Sequence, residues 1–303
     1  MAVIDRGSPT LSDLMPVVQG ERLLIPEGIP GLLRDLIHER LGTYFDEARF
    51  DTMLDKLEEP ARARNCRSIL DYYYLLKYDQ NGHQEWERVM DALSVQETYF
   101  WREMSQIRLL VDRLVPQWFK ESDRPLRIWS AACASGEEPY TLAIALQEAG
   151  WGKHPIHIMA SDGSEAALAK ARRGLFRERS FRALPVELRN KYFEEQTQGW
   201  QIRADIQSRV QFRHANLVAR TEVADLATTP IIFCRNVFIY FSPDAIRRAL
   251  TAFAASMPEK GYLFVGASES LIKLTTDFDL EEIQDAFVYI RRERQPTKAG
   301  LVP

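Results

Sequence analysis

The first hundred residues contain four hydrophobic stripes separated by short polar breaks. Apolar side chains recur in them at intervals of three and four residues, which is the spacing of one face of an α-helix. The stripes run from Leu32 to Leu41, from Phe50 to Leu57, from Ile69 to Leu76 and from Trp86 to Leu93. They share no spacing beyond the helical period and so are not repeats. This pattern predicts a small all-α domain over residues 25 to 95.

The residues before this domain show no period. Pro9 and Pro16 interrupt a stretch of mixed polarity that extends to about residue 25. Terminal segments without a buried face are seldom tied down. We therefore predict a poorly ordered or loosely docked lead-in.

After residue 95 the pattern changes to short apolar runs that alternate with helical stripes. An amphipathic helix through Ile107 and Trp118 comes first, and strand-like runs follow at 126–129, 157–162, 230–234, 262–266 and 287–290. The run Pro230–Cys234 is apolar throughout, as in a strand buried on both faces. Strands that alternate with helices predict an α/β domain with a parallel-rich, doubly wound sheet over residues 96 to 292.

Residues 181 to 215 break this alternation. Trp200–Arg203 and Arg209–Arg213 alternate apolar with polar residues at period two, and Gly199 suits a turn. We predict an inserted antiparallel hairpin or small β subdomain there, with Gly199 in its turn.

Composition narrows the class of protein. The 303 residues are 46% hydrophobic and 27% charged, enough for two globular domains, and the net charge of -4 argues against nucleic-acid binding. Three scattered cysteines without a C-x-x-C and five histidines at no ligand spacing predict neither a metal site nor a disulfide framework. No signal peptide and no run of about 18 apolar residues are found, which predicts a cytoplasmic protein without membrane insertion.

The stretch from Leu126 to Tyr140 has the strongest signature of a ligand site. A short strand enters the small residues Ala131–Gly136, which let backbone atoms approach a bound molecule, and Pro139 suits the first turn of a helix. Glu137 and Glu138 are also favourable there simply because they face the helix dipole. The single glycine of this turn does not make the G-x-G-x-x-G fingerprint of dinucleotide-binding proteins, and the Walker pattern of phosphate-binding loops is absent. Alone, this stretch indicates only a nucleotide-like ligand.

Polar residues also end two later strands. Asp162 follows the second strand, where a carboxylate can accept both hydroxyl protons of a ribose, although an ordinary helix cap has the same position. Arg235 and Asn236 follow the most apolar strand of the chain. Because ligands of α/β sheets bind beyond the carboxyl ends of the strands, we favour function for this pair.

Six segments, in order, match one family. They are VQETYFWRE, SAACASGEEPY, ASDGS, ANL, FCRNVFIYF and GYLFVGASESL. From about residue 25 to 292 the chain resembles the CheR-type chemotaxis receptor methyltransferases. The resemblance implies an S-adenosylmethionine (SAM)-dependent enzyme that methylates glutamate side chains of methyl-accepting chemotaxis receptors. It implies a Rossmann-like methyltransferase α/β domain, an N-terminal all-α domain and a small inserted antiparallel β subdomain.

The resemblance also implies roles for the residues around the first motif. Thr98 and Arg102 match ligand-contacting residues of the family, and Arg102 is expected near the methionine carboxylate and the reacting centre. Gln96 stands where the family has Asn, so its longer side chain must retract or contact another atom. Asp162 matches the acid that contacts the adenosine, and Gly163 replaces a usual Ile.

Further positions carry over in the same way. Contacts to the donor are expected from Glu138, from Asn216 with Leu217 and from Arg235 with Asn236. Tyr240 matches the tyrosine beside the transferred methyl group. With Arg102, it makes up the catalytic pair that the resemblance implies.

Two other functions are compatible with parts of the sequence. The departures at Gln96 and Gly163 allow a regulatory SAM-binding protein of a chemosensory pathway with little or no activity, whereas retention of Arg102 and Tyr240 argues against it. A hydride-transfer enzyme on a similar fold is disfavoured because the dinucleotide glycines are missing.

The expected partners are the cytoplasmic helices of the receptors. In family members that tether to a peptide at the receptor's C-terminus, the β subdomain adds that peptide to its sheet edge. The stretch Tyr192–Trp200 is a few residues shorter here and has one glycine. We therefore predict recognition without a C-terminal tether.

Overall fold

The computed structural model describes residues 22–79 and 82–293. The predicted lead-in lies outside the described residues, apart from residues 22–25. The described residues divide into two units, one comprising 22–34 and 45–93 and the other comprising 35–44 and 94–293.

The first unit is all-α, as predicted. The four helices of this part of the chain are α1 (Ile29–Leu41), which begins in the first unit, α2 (Phe50–Ala63), α3 (Ile69–Tyr78) and α4 (Gly82–Leu93). Helix α3 starts with a capping box, in which Ser68 and Asp71 each accept a hydrogen bond from the other's backbone N–H. Met53, Leu57 and Val89 from the hydrophobic stripes are fully buried.

The second unit is built on a seven-stranded sheet. Its strands are β1 (Leu126–Ala131), β2 (Ile156–Asp162), β6 (Val210–His214), β7 (Ile231–Cys234), β8 (Tyr262–Phe264), β9 (Phe278–Ile283) and β10 (Ala286–Arg291). They lie in the order β6-β2-β1-β7-β8-β10-β9. The first five are parallel, and β10 and β9 close the sheet as an antiparallel hairpin.

Helices cover both faces of this sheet. They are α5 (Met104–Leu109), which continues through a π-helical turn at Leu110–Leu114 into α6 (Val115–Glu121), α7 (Glu137–Glu148), α8 (Glu165–Arg173), α9 (Val186–Tyr192), α10 (Ala204–Gln207), α11 (Arg220–Val223) and α12 (Pro243–Ser256). Along β7, Ile231 and Phe233 pack in the core that holds α5–α8, and Ile232 and Cys234 pack in the core that holds α11 and α12. The doubly wound α/β prediction is confirmed.

A second, three-stranded antiparallel sheet confirms the predicted insertion. It consists of β3 (Leu175–Phe176), β4 (Phe193–Gln196) and β5 (Gly199–Ile202), in the order β3-β5-β4. Gly199 is the last residue of the four-residue turn that starts at Gln196, and it is also the first residue of β5. Its φ is +146°, and a Cβ there would lie 2.3 Å from the Phe176 carbonyl oxygen, so the close approach of β3 requires glycine.

The assignment of Arg209–Arg213 to this insertion was wrong. Strand β6 pairs in parallel with β2, from Ile158 opposite Val210 to Asp162 opposite His214, and so belongs to the main sheet. It is the edge strand of that sheet and buries only one of its faces well. An edge strand therefore shows the same period-two alternation as a strand of a small separate sheet.

The end of α1 belongs to the second unit, in contrast to the contiguous domain predicted over residues 25 to 95. The backbone N–H of Tyr44 donates to the Tyr240 carbonyl at 2.9 Å. Gly42 has φ +79°, and a Cβ there would lie 2.7 Å from Cγ1 of Val218. Residues 35–44 are thus packed against the loops that follow β6 and β7.

Candidate active site

The carboxyl ends of three neighbouring strands meet at one edge of the main sheet. Ala131, the last residue of β1, is in register with Ser161 of β2 and with Cys234 of β7. The three parallel strands therefore bring Ala132, Asp162 and Arg235 side by side. This is the crevice in which α/β proteins bind ligands.

The loop after β1 has an unusual backbone. Ala132 and Ala134 have φ of +54° and +47°, a region that residues with a Cβ seldom adopt, and Gly136 has φ +96°. A Cβ at Gly136 would lie 2.9 Å from that of Ala171. Strained conformations of this kind persist where the surroundings fix them, and they cluster at ligand sites.

Asp162 is one of the groups that fix this loop. Its Oδ2 accepts a hydrogen bond from the Ala134 N–H at 2.9 Å, and its Oδ1 accepts one from the Ser164 N–H at 2.8 Å. Asp162 therefore joins the loop after β1 to the residues that follow β2 and so helps to shape the crevice.

Glu138 and Arg235, predicted as separate ligand contacts, form an ion pair with each other. Arg235 Nε lies 2.7 Å from Glu138 Oε2, and the two side chains are 2% and 12% exposed. Ser130 Oγ donates to the other Glu138 oxygen at 2.6 Å. The Arg235 guanidinium also donates to the Arg102 carbonyl at 3.1 Å and to Gln106 Oε1 at 3.3 Å. The pair ties β7 to the start of α7 and to the segment before α5.

That segment, residues 95–103, forms another wall of the crevice. Trp101 and Glu103 both have positive φ, at 69° and 52°. Arg102 Nη1 donates to the Glu97 carbonyl at 3.0 Å, and its guanidinium carbon lies 5.4 Å from the centre of the Tyr99 ring. Five of the positive-φ residues other than glycine thus lie in the loops around this crevice, Asn236 being the fifth.

The side chain of Gln96 forms a hydrogen bond to α8. Its Oε1 accepts a hydrogen bond from Lys170 Nζ of α8 at 2.8 Å. The extra methylene relative to Asn thus lets the side chain reach across to the helix that follows β2.

Tyr240 lies in the short 3-10 helix Phe238–Tyr240 that follows β7. Burial raises the pKa of its hydroxyl, the Glu97 carboxylate raises it further, and the Arg102 guanidinium acts in the opposite direction. Tyr240 thus lies four positions after the cleft-lining Asn236. Of the two predicted catalytic residues, Arg102 lines the cleft and Tyr240 is not among the lining residues.

Asn216 and Leu217 follow β6 at the same edge of the sheet. Asn216 Nδ2 donates to the Arg40 carbonyl at 2.8 Å, and its Oδ1 accepts from the Val218 N–H at 3.2 Å. Leu217 is buried. The amide of Asn216 thus fastens its loop to the end of α1.

Three acidic residues of the site lie within the quoted family segments, but no role in the site was predicted for them from the sequence. Glu137 is buried and accepts hydrogen bonds from Ser135 and Ser180, and burial raises its pKa. Glu103 and Glu269 bind the turn at Asn236. The acid Glu137 was visible within its motif, but nothing in the spacing of Glu103 or Glu269 points to Asn236.

The crevice itself is a narrow cleft within the second unit. Its walls come from the segment before α5, the loop after β1 and the end of β7. The lining residues are Val95, Glu97, Thr98, Tyr99, Arg102, Ala132, Cys133, Ala134, Glu138, Arg235 and Asn236.

Within the described part of the chain, residues 22–79 and 82–293, no three His, Cys, Asp or Glu side chains are grouped so that they can hold a metal ion. Cys66, Cys133 and Cys234 are buried free thiols. Within the same residues, no helix is both long enough and apolar enough to cross a membrane.

Comparison with known proteins identifies the class. The family model described as "CheR methyltransferase, SAM binding domain" matches residues 96–287, and that described as "CheR methyltransferase, all-alpha domain" matches residues 31–94. The chain therefore belongs to the CheR methyltransferase family, and its second unit holds the SAM-binding domain.

Individual relatives agree with the family model. "Chemotaxis protein methyltransferase 2" of Vibrio cholerae is 34% identical over 263 residues, which are 85% of this chain and 91% of that protein. "Chemotaxis protein methyltransferase 1" of Pseudomonas aeruginosa is 36% identical over 266 residues, 85% of this chain and 96% of that protein. The solved magnesium protoporphyrin IX methyltransferase (ChlM) of Synechocystis covers 88% of this chain and 97% of its own at 13% identity, with a TM-score of 0.35, which is too low to support an inference.

The cleft has the features that the SAM of this family requires. The small side chains of Ala132 and Ala134 leave the backbone accessible, and Asp162 ends β2 beside them. A loop without bulky side chains and an adjacent carboxylate suit an adenosine moiety. The residues present thus fit the methyl donor that the family binds.

Proposed function

We propose that this protein transfers the methyl group of SAM to glutamate side-chain carboxylates of methyl-accepting chemotaxis receptors in the cytoplasm, forming methyl esters. The observation that carries the proposal is the cleft at the strand ends of a SAM-binding domain, which is lined by Arg102 and by the buried Glu138–Arg235 pair. Tyr240 lies on the loop after β7, four positions beyond the cleft-lining Asn236. The names of the relatives support the receptors as substrates. SAM supplies an activated methyl group on a sulfonium.

The residues around the cleft divide into two groups. Thr98, Asp162, Asn216 and Leu217 are proposed to contact the donor directly, together with the Asn236 loop. Glu138 is proposed to present to the donor a carboxylate that the Arg235 guanidinium holds in place. Arg235 supports this site through Glu138 and the Arg102 backbone.

The side chains of Gln96 and Asn216 are both hydrogen-bonded within the protein. The side-chain oxygen of Gln96 binds Lys170, so a contact from Gln96 to the donor must come from its backbone or from a rearranged side chain. The same contact links the segment before α5 to α8 and supports the wall of the cleft. We propose that Gln96 contributes to donor binding chiefly by fixing this wall.

No general base is required for the reaction. A glutamate carboxylate has an ordinary pKa near 4.3, so the nucleophile is already ionised at neutral pH. The protein must remove water from the carboxylate and align it, and positioning can supply about 7–11 kcal/mol of the barrier. The raised pKa of Tyr240 keeps its hydroxyl protonated, as a hydrogen-bond donor, throughout the neutral range.

A transfer assay separates the enzyme from a regulatory SAM-binding protein. Membranes that contain the organism's own receptors would be incubated with the protein and with SAM carrying a labelled methyl group. We expect time-dependent labelling of receptor bands, with Asp162→Ala at low SAM concentration as the control of reduced donor affinity. Tight SAM binding by calorimetry without labelling would instead favour the regulatory protein, and binding of NAD in place of SAM would favour hydride transfer.

A further inference from the structure

Glu269 lies in the loop after β8, outside every residue set discussed for donor binding. Its Oε2 accepts hydrogen bonds from the N–H groups of Gly266 at 2.6 Å and Asn236 at 2.8 Å. Its Oε1 accepts one from the N–H of Ile239 at 3.3 Å. One carboxylate thus gathers the backbone of two loops, the one after β7 and the one after β8.

The turn that Glu269 holds contains a residue in an unfavourable backbone conformation. Asn236 has φ +60°, which is unfavourable for a residue with a Cβ. Its Nδ2 donates to Glu103 Oε1 at 3.2 Å, so carboxylates bind both its backbone and its side chain. A Cβ at Gly266 would lie 2.4 Å from Asn236 Nδ2 and 2.9 Å from Glu269 Oε2. The absence of a side chain at Gly266 therefore permits the arrangement.

The same turn carries Tyr240. Ile239, whose N–H Glu269 binds, directly precedes it, and both belong to the Phe238–Tyr240 helix. Asn236 at the other end of the turn lines the cleft. Loss of the Glu269 contacts would free both ends of the turn at once.

We propose that Glu269 is a positioning residue for methyl transfer, which holds the 235–240 turn so that Asn236 and Tyr240 face the cleft. This inference rests on the proposed function and deepens it. Glu269 acts through the turn, since its oxygens are occupied by backbone N–H groups. Most donor contacts lie on other loops, at Thr98, Glu138, Asp162 and Asn216. Its loss should therefore affect turnover more than donor affinity.

The decisive variant is Glu269→Gln, which preserves the size of the side chain. One of its two terminal atoms becomes an NH₂ donor and faces a backbone N–H in either orientation of the amide. We expect kcat for receptor methylation to fall about tenfold or more, while the Kd for SAM changes by less than about threefold. The matched control is Thr275→Val. In the wild type, the Thr275 hydroxyl accepts a hydrogen bond from the loop N–H of Asp277 at 3.0 Å, and this variant removes that acceptor. We expect Thr275→Val to retain wild-type kcat.

Hydrogen exchange tests the clamp without any methyl acceptor. In Glu269→Gln the amides of residues 236–240 should exchange faster than in the wild type, while those of β1 stay unchanged. Gly266→Ala should reproduce the loss of kcat, and the double variant should lose less than the two single effects combined.

The possible outcomes are distinct. Unchanged exchange or wild-type kcat in Glu269→Gln overturns the inference, as does an equal loss of kcat in Thr275→Val. A loss of SAM affinity as large as the loss of kcat also overturns it, because Glu269 would then belong to the donor site. Inactive wild-type protein contradicts the proposed function alone, and the exchange measurement still decides the role of Glu269.

Discussion

Arg235 and Glu138 are 97 positions apart in the chain, yet their side chains form an almost fully buried ion pair with an N–O distance of 2.7 Å. Arg235 directly follows β7, and Glu138 lies in the first turn of α7. Because β7 pairs with β1 and α7 follows the loop after β1, the ion pair fastens the far end of this loop to the residue that follows β7.

We expect Arg235→Met to lower the free energy of unfolding by about 3–5 kcal/mol, because the Glu138 carboxylate is left buried without its partner. The double variant Arg235→Met, Glu138→Gln should recover part of this loss. Denaturant unfolding of both single variants and the double variant measures the coupling. Additive losses would show that the two groups do not stabilise each other.

Asp162→Ala should weaken SAM binding. A hydrogen bond to a charged group contributes about 1.5–3 kcal/mol, which corresponds to roughly a 10- to 150-fold increase in Kd. The Ala134 N–H also loses its acceptor, so the loop after β1 should loosen. Calorimetric titration with SAM measures the Kd of each variant. Asp279→Asn is the control, because Asp279 is an exposed acid that pairs with Arg292. Unchanged affinity in Asp162→Ala would remove this residue from the donor site.

Tyr240→Phe should separate chemistry from binding. The hydroxyl is assigned to the reacting centre, so turnover should fall at least tenfold, while SAM affinity stays within about threefold of wild type. The ring remains, so the midpoint of thermal unfolding should not change. Wild-type turnover in this variant would show that the hydroxyl has no catalytic role.

The sequence predicted those parts of the site that follow from local pattern. Asp162 and Arg235 end strands that are recognisable by their apolar runs, and parallel strands bring such residues to one edge. The pairing of Arg235 with Glu138 depends on strand order, which no local pattern contains. Glu269 lies in the quoted segment GYLFVGASESL, but its hydrogen bonds are to backbone N–H groups, which the spacing of side chains does not reveal.

For the fold, too, the features that depend on local pattern were predicted and those that depend on long-range packing were not. Helices with clear stripes, such as α2, and buried strands, such as β7, were predicted correctly. Strand β6 was assigned to the wrong sheet because an edge strand of a large sheet and a strand of a small sheet both bury one face. The end of α1 was assigned to the helical domain, although Gly42 and Tyr44 pack on the α/β unit.

Recognition of the receptor should not depend on its C-terminal tail. The β4–β5 hairpin has only Thr197 and Gln198 between its strands, and the edge strand β4 exposes Glu194 and Glu195. A short hairpin with an acidic edge offers little surface for adding a peptide strand. Deletion of the tail from the cognate receptor should leave the initial rate of methylation within about twofold, because no gain in effective concentration is lost. A large drop in rate would refute this prediction.

The central claim is that the protein methylates carboxylates, and the base lability of the methyl group on the receptor tests this claim most directly. Receptors labelled by the purified protein with methyl-labelled SAM would be exposed to mild base, and volatile label would be collected. A glutamate methyl ester releases its label as methanol, whereas methyl groups on nitrogen or sulfur stay with the protein. We predict release of nearly all the label from the wild-type reaction. At a SAM concentration near the wild-type Kd, the Asp162→Ala reaction should incorporate, and so release, far less label. Label that remains on the receptor after base treatment would contradict carboxylate methylation.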